Sequence, residues 1–423
     1  MKVDLARLNH VLIPATSSER DRLRKTGLAR GLARSLTLFA RLSREGRVLL
    51  AMTCVAGLFS ADLGRTQTHV LVFTTASLLV AALLFTPGYR LAGVAARISV
   101  PRRVTVGHEV AITLSLHNEG QREHSAVRWE PPLLPWDGSF RGGTSPVVQL
   151  PGGGEATCVI RACFVARGQH HLDPFRAVEL LPLRLSQGAP LCTASARFIV
   201  VPRVARVLSV TTPPNRRRQP GGVARASRTG DSTDLLGVRP YRAGDPVRDL
   251  HARSWARHGS PMVREYVEEY FTRIGIVLDT DATAATPAHL EGALSLCAGV
   301  IASLCRGEAL IDVLVTGQHV TQLALGRSLG ALDQALDLLA VVRPEPGFAK
   351  DRVLARLSPH LERLSSVVFV AVGWDESRAA FVASLRSRGV GSVVFIVGDR
   401  PARTESTTTV PLAAIARGEA LSL

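Results

Sequence analysis

The chain shows three patterns in succession: unbroken apolar runs, strict alternation, then a mixture of helical and strand periods. Val48 to Ala61 and His69 to Phe85 are the two apolar runs. Each is short against the ~20 residues that usually cross a bilayer, and flanking residues can make up the difference by snorkelling. The segment between them, Asp62 to Thr68, is too short for a domain, so the two predict a helical hairpin. From Ile98 to about Pro202 the period is two. Val110, Ile112, Leu114 and Leu116 alternate with Ala111, Thr113 and Ser115, and a period of two recurs at Cys158, Ile160, Ala162 and Phe164 and again over Cys192 to Val200. Glycine-rich turns separate these runs, which predicts a small β-sandwich.

Beyond Ser232 the pattern changes again. Asp245-Pro246 reads as a helix start, with Asp at the N-cap, and Gly259 as its stop. Met262 to Phe271 alternates like an edge strand, and Ile274 to Leu278 is a short apolar run suited to a strand covered on both faces. Leu290 to Leu304 carries a helical stripe, and Leu310–Val315 and Val320–Leu325 read as a possible hairpin. Helices are predicted over Leu329–Leu339, Val353–Leu361 and Arg378–Arg388, with buried strands over Val367–Val372 and Val393–Val397. Such alternation implies a mostly parallel sheet with helices on both faces. Asp279, Asp281 and Thr283 stand where the first of these strands ends, the edge at which open α/β sheets bind ligands.

The net charge of +16 is local: residues 1–47 carry +7 and residues 203–228 another +7. Leu28, Leu32, Leu36, Phe39 and Leu42 fall on one face of a helix and Arg30, Arg34 and Arg41 on the other. That is the pattern of a helix lying in an anionic membrane interface, or of a solvated helix packed on its own protein. Pro213 to Arg228 reads as a basic linker, solvated or in contact with headgroups or an acidic partner. Arginines flank the outer ends of the hairpin, and the connecting segment has only Arg65, offset by Asp62. Both termini are therefore expected in the cytoplasm. With few aromatic residues to stack on bases and charge confined to two stretches, no nucleic-acid partner is expected. The six cysteines form no CxxC pair and read as buried reduced thiols, and His170-His171 as ordinary strand or turn positions.

One stretch carries a family likeness. Arg239, Tyr241, Gly244-Asp245-Pro246, Arg248, Leu250-His251, Ala256-Arg257 and Val263-Arg264-Glu265 resemble the signature of the domain of unknown function 58 family. The likeness runs from about Gly46 onward and departs at Ala252, where the family usually has Trp. It implies a multi-domain chain. The expected parts are a basic tail over 1–47, a transmembrane helical hairpin over 48–86, a β-sandwich over 98–203, a basic linker over 204–231 and the signature over 232–271. The last, over 272–423, is an α/β von Willebrand factor A-like (Rossmann-like) domain. It further implies a scaffold at the inner membrane, with its soluble domains cytoplasmic, acting with a MoxR-type AAA+ ATPase in complex assembly or remodelling.

The resemblance also implies a divalent metal at the strand ends, where the family pattern Asp-x-Ser-x-Ser is matched here by Asp279, Asp281 and Thr283, with Asp375 contributing from a neighbouring loop. Oxygen donors suit Mg²⁺. An Asp replaces the middle Ser, and Asp281 and Thr283 also suit an inert helix cap. A metal-dependent hydrolase using Asp279 and Asp281 is thus the rival to the scaffold. No nucleophile elbow, phosphate-binding lysine loop or zinc helix motif is present in the sequence, and no nucleophile is tied by spacing to His251 or His258. The charged signature residues, Arg239, Asp245, Arg248, Arg257, Arg264 and Glu265 among them, are expected to form an ion-pair network or to recognise a partner.

Overall fold

A computed structural model describes residues 41–59, 66–143, 145–212, 219–229, 235–271, 273–281, 283, 286–306, 310–315, 321–325, 330–398 and 407–423. The amphipathic segment around Leu28 to Leu42 lies outside these residues except for Arg41 and Leu42. The chain forms two compact units, Met1–Val201 and Pro202–Leu423. It is a multi-domain, mixed α and β protein with several sheets.

In the first unit, α1 (Arg44–Phe59) and α2 (Thr66–Phe85) pack against each other. Their large apolar side chains point outward: Leu58 is 79% exposed, Phe73 70% and Leu84 74%. The hydroxyls of Thr53, Thr74 and Thr75 donate to carbonyls one turn back, at 2.7–2.8 Å. Their polar interruptions are thereby satisfied within the helices. Residues 67–85 are long and apolar enough to cross a membrane, by length and composition.

The sandwich strands are β1 (Val94–Ser99), β2 (Arg103–Thr105), β3 (Glu109–Asn118), β4 (His124–Glu130), β5 (Gly138–Arg141), β6 (Val147–Leu150), β7 (Glu155–Phe164), β8 (Gly168–Leu172), β9 (Arg176–Glu179), β10 (Leu191–Cys192) and β11 (Ala196–Val201). Two four-stranded sheets, ordered β1-β3-β7-β5 and β10-β9-β4-β6, share one core with a smaller β2-β11-β8 sheet. The alternation explains it: Ile112, Leu114 and Leu116 of β3, Trp129 of β4 and Ile160, Ala162 and Phe164 of β7 all face inward.

A loop between β9 and β10 ties this sandwich to both helices. Ser43 donates its N–H to Leu185 O at 3.0 Å, Gln187 its N–H to Arg41 O at 2.9 Å, and Ser186 its hydroxyl to Ala82 O at 2.8 Å. The approach is so close that a Cβ on Gly46 would lie 1.9 Å from Leu185 O. Leu183 and Arg184 take positive φ angles of 65° and 56° to make the crossing.

In the second unit, β12 (Val207–Ser209) pairs in parallel with β22 (Leu421–Ser422). A three-stranded sheet follows, ordered β13-β15-β14, from β13 (Gln219–Thr229), β14 (Leu235–Pro240) and β15 (Met262–Phe271). Much of the stretch expected as a basic linker is therefore strand β13, paired antiparallel with β15. Its alternation is too weak to announce a strand, and the long partner β15 supplies what the local pattern lacks. The signature helix also differs. A short 3₁₀ turn covers Val247–Asp249, and α3 spans only Ala252–His258. Gly259 ends it in the left-handed conformation, as expected.

The main sheet comprises β16 (Arg273–Leu278), β17 (Leu310–Val315), β18 (Thr321–Leu325), β19 (Ser366–Ala371), β20 (Gly391–Val397) and β21 (Thr407–Val410). In space they run β18-β17-β16-β19-β20-β21, all parallel except the β17–β18 hairpin. The order therefore reverses between β16 and β19. The helices are α4 (Pro287–Arg306), α5 (Ala331–Val341), α6 (Lys350–Leu357), α7 (Glu376–Ser387) and α8 (Leu412–Arg417). Both α5 and α8 contact α4, and α6 and α7 share a core with Phe369 and Val394. Although α4 is also long and apolar, most of it is buried. Gly299 lets the preceding chain cross it, since a Cβ there would meet Ala205 O at 2.4 Å.

Candidate functional site

The strand-end residues predicted from sequence do come together, around an arginine that sequence reading passed over. Asp279 follows β16, and Asp375 caps α7, accepting the Arg378 N–H at 2.9 Å. They meet where the strand order reverses, and helical side chains lean toward the N-terminus of their helix. Arg378, one turn into α7, thus reaches back over the strand ends. Its Nε donates to Asp279 at 2.8 Å, one Nη to Asp281 at 2.9 Å and the other to Asp375 at 2.5 Å. The guanidinium also lies 5.4 Å from the Phe348 ring centroid. The only local signal in the sequence was the Asp375-to-Arg378 spacing.

The chain itself supplies further donors to Asp279 and Asp281. The other Asp279 oxygen accepts the Asp281 N–H at 3.0 Å. The other Asp281 oxygen accepts the Thr283 N–H and hydroxyl, at 2.8 and 2.6 Å, and the Gly347 N–H at 2.8 Å. Burial is nearly complete: Arg378 is 1% exposed and Asp279 0%. It pushes the Asp279 carboxyl above the usual range, against the pull of Arg378. Burial acts the same way on Asp281, but the bonds from Thr283, Arg378 and Gly347 outweigh it and bring Asp281 down to about 2.

These donors do not fit the Mg²⁺ that the family pattern implies. A divalent ion needs open carboxylate oxygens, and here a resident cation is bonded to all three groups. Every oxygen of Asp279 and Asp281 already accepts at least one hydrogen bond. Among the described residues no group of three metal-binding side chains occurs. The arrangement is a charge lock joining the loops after β16 and β19, with the Gly347 loop drawn in.

The signature residues are only partly gathered. Arg239 of β14 grips Asp245 through two bonds of 2.7 and 2.8 Å, with Glu265 of β15 3.8 Å away. Asp245 also accepts the Arg242 N–H at 2.8 Å. It therefore closes the turn through Gly244, at φ 104°, instead of capping the helix. Arg239 is the first cause that brings the Asp245 carboxyl down to about 2. The cap of α3 is His251, whose ring accepts the Ser254 N–H at 3.3 Å and lies 2.7 Å from its hydroxyl. Arg248 reaches Asp249 at 3.8 Å, while Arg257 and Arg264 are exposed and join no ion pair among the described residues. The expected network is thus a small brace. Around it stand exposed apolar groups: Tyr241 at 39%, Val247 at 71% and Trp255 at 43%.

No family model and no curated protein matches the chain. Among solved structures, a fragment of Escherichia coli alpha-2-macroglobulin is similar at 16% identity and a TM-score of 0.21. The match covers 37% of this chain and 21% of that one. The CARDB domain of the PF1109 protein from Pyrococcus furiosus, solved with di-metal ions, is similar at 14% identity and a TM-score of 0.17. It covers 26% of this chain and 87% of the domain. Likenesses this slight carry no argument about this chain.

Two remaining expectations concern single residue types. His170 lies 2.6 Å from Asp137 and His171 3.5 Å from Asp173, as structural pairs. The thiols are not uniformly buried. Cys163 and Cys297 are, whereas Cys54, Cys192 and Cys305 are exposed. Exposure follows from strand parity and helix face, which the mere presence of Cys does not reveal. Burial pushes Cys297 up to about 12.

Proposed function

We propose that this chain is a membrane-anchored cytoplasmic scaffold whose α/β unit binds partner proteins and performs no chemistry of its own. The observation that carries the reading is the pair of helices with outward apolar faces and internally satisfied hydroxyls. Such helices in water would expose more apolar surface than a soluble protein tolerates. In a bilayer the same surface is buried, and orientation by flanking arginines puts both soluble units in the cytoplasm.

The reversal of strand order and the helices that pack against the sheet support a von Willebrand factor A-like domain. The charge lock at its strand ends argues against the hydrolase reading. Partner binding then falls to the signature segment, where Tyr241, Val247 and Trp255 are exposed and Arg257 and Arg264 are exposed on the same segment. Exposed aromatics with Arg are the composition of interaction hot spots. By the family resemblance the partner is a MoxR-type AAA+ ATPase.

The test uses the full chain in its native membrane. It should resist alkaline carbonate extraction, and a reporter fused after Leu423 should be active only as a cytoplasmic reporter. Solubilised and captured, the chain should bring down the ATPase, and Tyr241→Ala with Trp255→Ala should release it. A periplasmic signal would sink the orientation. Capture that survives both substitutions would sink the docking face.

A further inference from the structure

A cavity of about 330 Å³ lies where the helices meet the sandwich. Arg41 borders it from just before α1, Arg90 from just after α2 and Arg176 from β9. Glu130, opposite Arg176 in the β4–β9 register, is the one carboxylate in its lining. The three arginines are exposed, and their side chains make no ion pair or hydrogen bond among the described residues. Their backbones are nevertheless fixed. Gln187 N–H holds Arg41 O, Ala92 N–H holds Arg90 O, each at 2.9 Å, and Arg90 bridges Ala189.

A second, larger cavity shares Glu130 with the first and holds Arg44, Arg47 and Arg128 against Glu45 and Glu130, with Glu45 gripping Arg128 through bonds of 3.0 and 2.6 Å. The larger positive surplus therefore sits in the first cavity, with three arginines to one carboxylate. Three guanidiniums brought by three separate elements to one wall repel one another. An oxyanion that accepts paired N–H bonds from each removes that repulsion, and phosphate oxygens match the guanidinium fork.

We propose that this cavity binds a phosphate-class anion, with the phosphodiester of an anionic membrane lipid as its source. Arg41 and Arg90 bracket the outer ends of the two apolar helices, which is headgroup depth if those helices span. The choice of source rests on the membrane-anchored reading; the phosphate chemistry does not. A zwitterionic choline headgroup would add a cation to a wall already rich in them, so phosphatidylglycerol should be preferred to phosphatidylcholine.

The experiment titrates the full chain in neutral detergent with short-chain phosphatidylglycerol, short-chain phosphatidylcholine and inorganic phosphate. Bound ligand is read by native mass spectrometry and by thermal shift. Phosphatidylglycerol should bind about tenfold more tightly than phosphatidylcholine, a preference of the size that charge-assisted paired bonds give. Arg90→Ala with Arg176→Ala should abolish that preference, and Arg97→Ala with Arg102→Ala, an equal charge loss on other exposed arginines, should leave it intact. Equal loss in both double variants, or no preference in the wild type, overturns the proposal. Inorganic phosphate that binds as tightly, and needs Arg90 and Arg176, keeps the anion site and reassigns its source. Carbonate extraction run in parallel separates the two readings: release of the wild type sinks the anchor while the inorganic phosphate arm still decides the site.

Discussion

Arg378 and the arginines of the hairpin cavity are the same side chain in opposite company. In the α/β unit one buried guanidinium faces three carboxylates, of which Asp279 and Asp281 are buried with it. In the first unit three exposed guanidiniums and a single carboxylate line one cavity. Burial accounts for the difference. A charge taken out of water must be matched on the spot, because an uncompensated one costs several kcal/mol. Charges left in water repel only weakly, since solvent and salt screen them. A matched, covered cluster holds loops together; an unmatched, open one keeps capacity for something from outside.

The largest expected effect follows from breaking the covered cluster. Arg378→Ala would strand two buried carboxylates, and the cost should be about 3–5 kcal/mol. Denaturant unfolding of the full chain in detergent should show it, with faster hydrogen exchange along Ile276 to Leu278. Arg378→Lys should recover only part, because an ammonium gathers its three donors on one nitrogen, whereas the guanidinium reaches the three carboxylates from three separate nitrogens. Arg90→Ala should stay within about 0.5 kcal/mol of wild type. Equal costs at the two positions would erase the contrast. Neither EDTA nor millimolar Mg²⁺ should move the melt of the wild type.

The next effect tests what holds the open cluster in shape. Gly46→Ala drives a methyl group into Leu185 O, and overpacking of this kind costs about 1–3 kcal/mol. Gly57, on the same helix, has nothing within 4 Å of an added Cβ, so Gly57→Ala should be nearly silent. If Gly46→Ala spares stability but removes the lipid preference, the seam positions the arginines without bearing much of the fold's stability.

Acid should loosen the covered cluster from one side only. The Asp281 carboxyl lies below its ordinary value when folded, so its contribution is complete above about pH 4 and is lost as pH falls to about 2. The stability gap between wild type and Asp281→Asn should therefore close across that window. A gap unchanged at pH 2 would show that Asp281 acts by shape alone. Asp279 works the other way: its raised value favours the proton in the folded state, so its own titration does not add to the acid loss.

The smallest effect is expected in the signature. Asp245 and Arg239 pair at the surface, where water competes for both partners. Asp245→Asn should shift the melt within the scatter of the measurement, while it loosens the Gly244 turn enough to weaken partner capture. A large stability loss there would move the signature into the same class as Arg378.

The sequence made some of this legible and hid the rest for physical reasons. The sandwich could be read because Val110 to Leu116 alternates between a covered and a more open face, and Cys158 to Ala162 does so too before β7 ends buried at Cys163 and Phe164. Strand ends could be read because Ile274 to Leu278 stops abruptly at Asp279. Arg378 could not, since it sits on a helix face among other charged residues, and only the return of the chain from β19 brings it under Asp279. Asp245 misled for a related reason: Asp before Pro suits a cap, but a facing Arg239 six residues earlier offered a stronger, two-pronged partner. The arginine-rich stretch from Gln219 to Thr229 became a strand through pairing with β15, which no local pattern announces.

The parallel pair β12–β22 gives the second unit a mechanical character. Val207 pairs with Leu421, and Leu421 N–H and Leu423 N–H donate to Arg206 O and Ser209 O, at 2.9 and 3.0 Å. A load entering ahead of β12 and leaving beyond β22 would pull these strands along their length in opposite directions. All their hydrogen bonds would then be strained in shear at once, where an antiparallel hairpin held at one end would unzip bond by bond. A pull applied at Leu423 would therefore meet its first resistance at this pair, before any strand of the main sheet felt it.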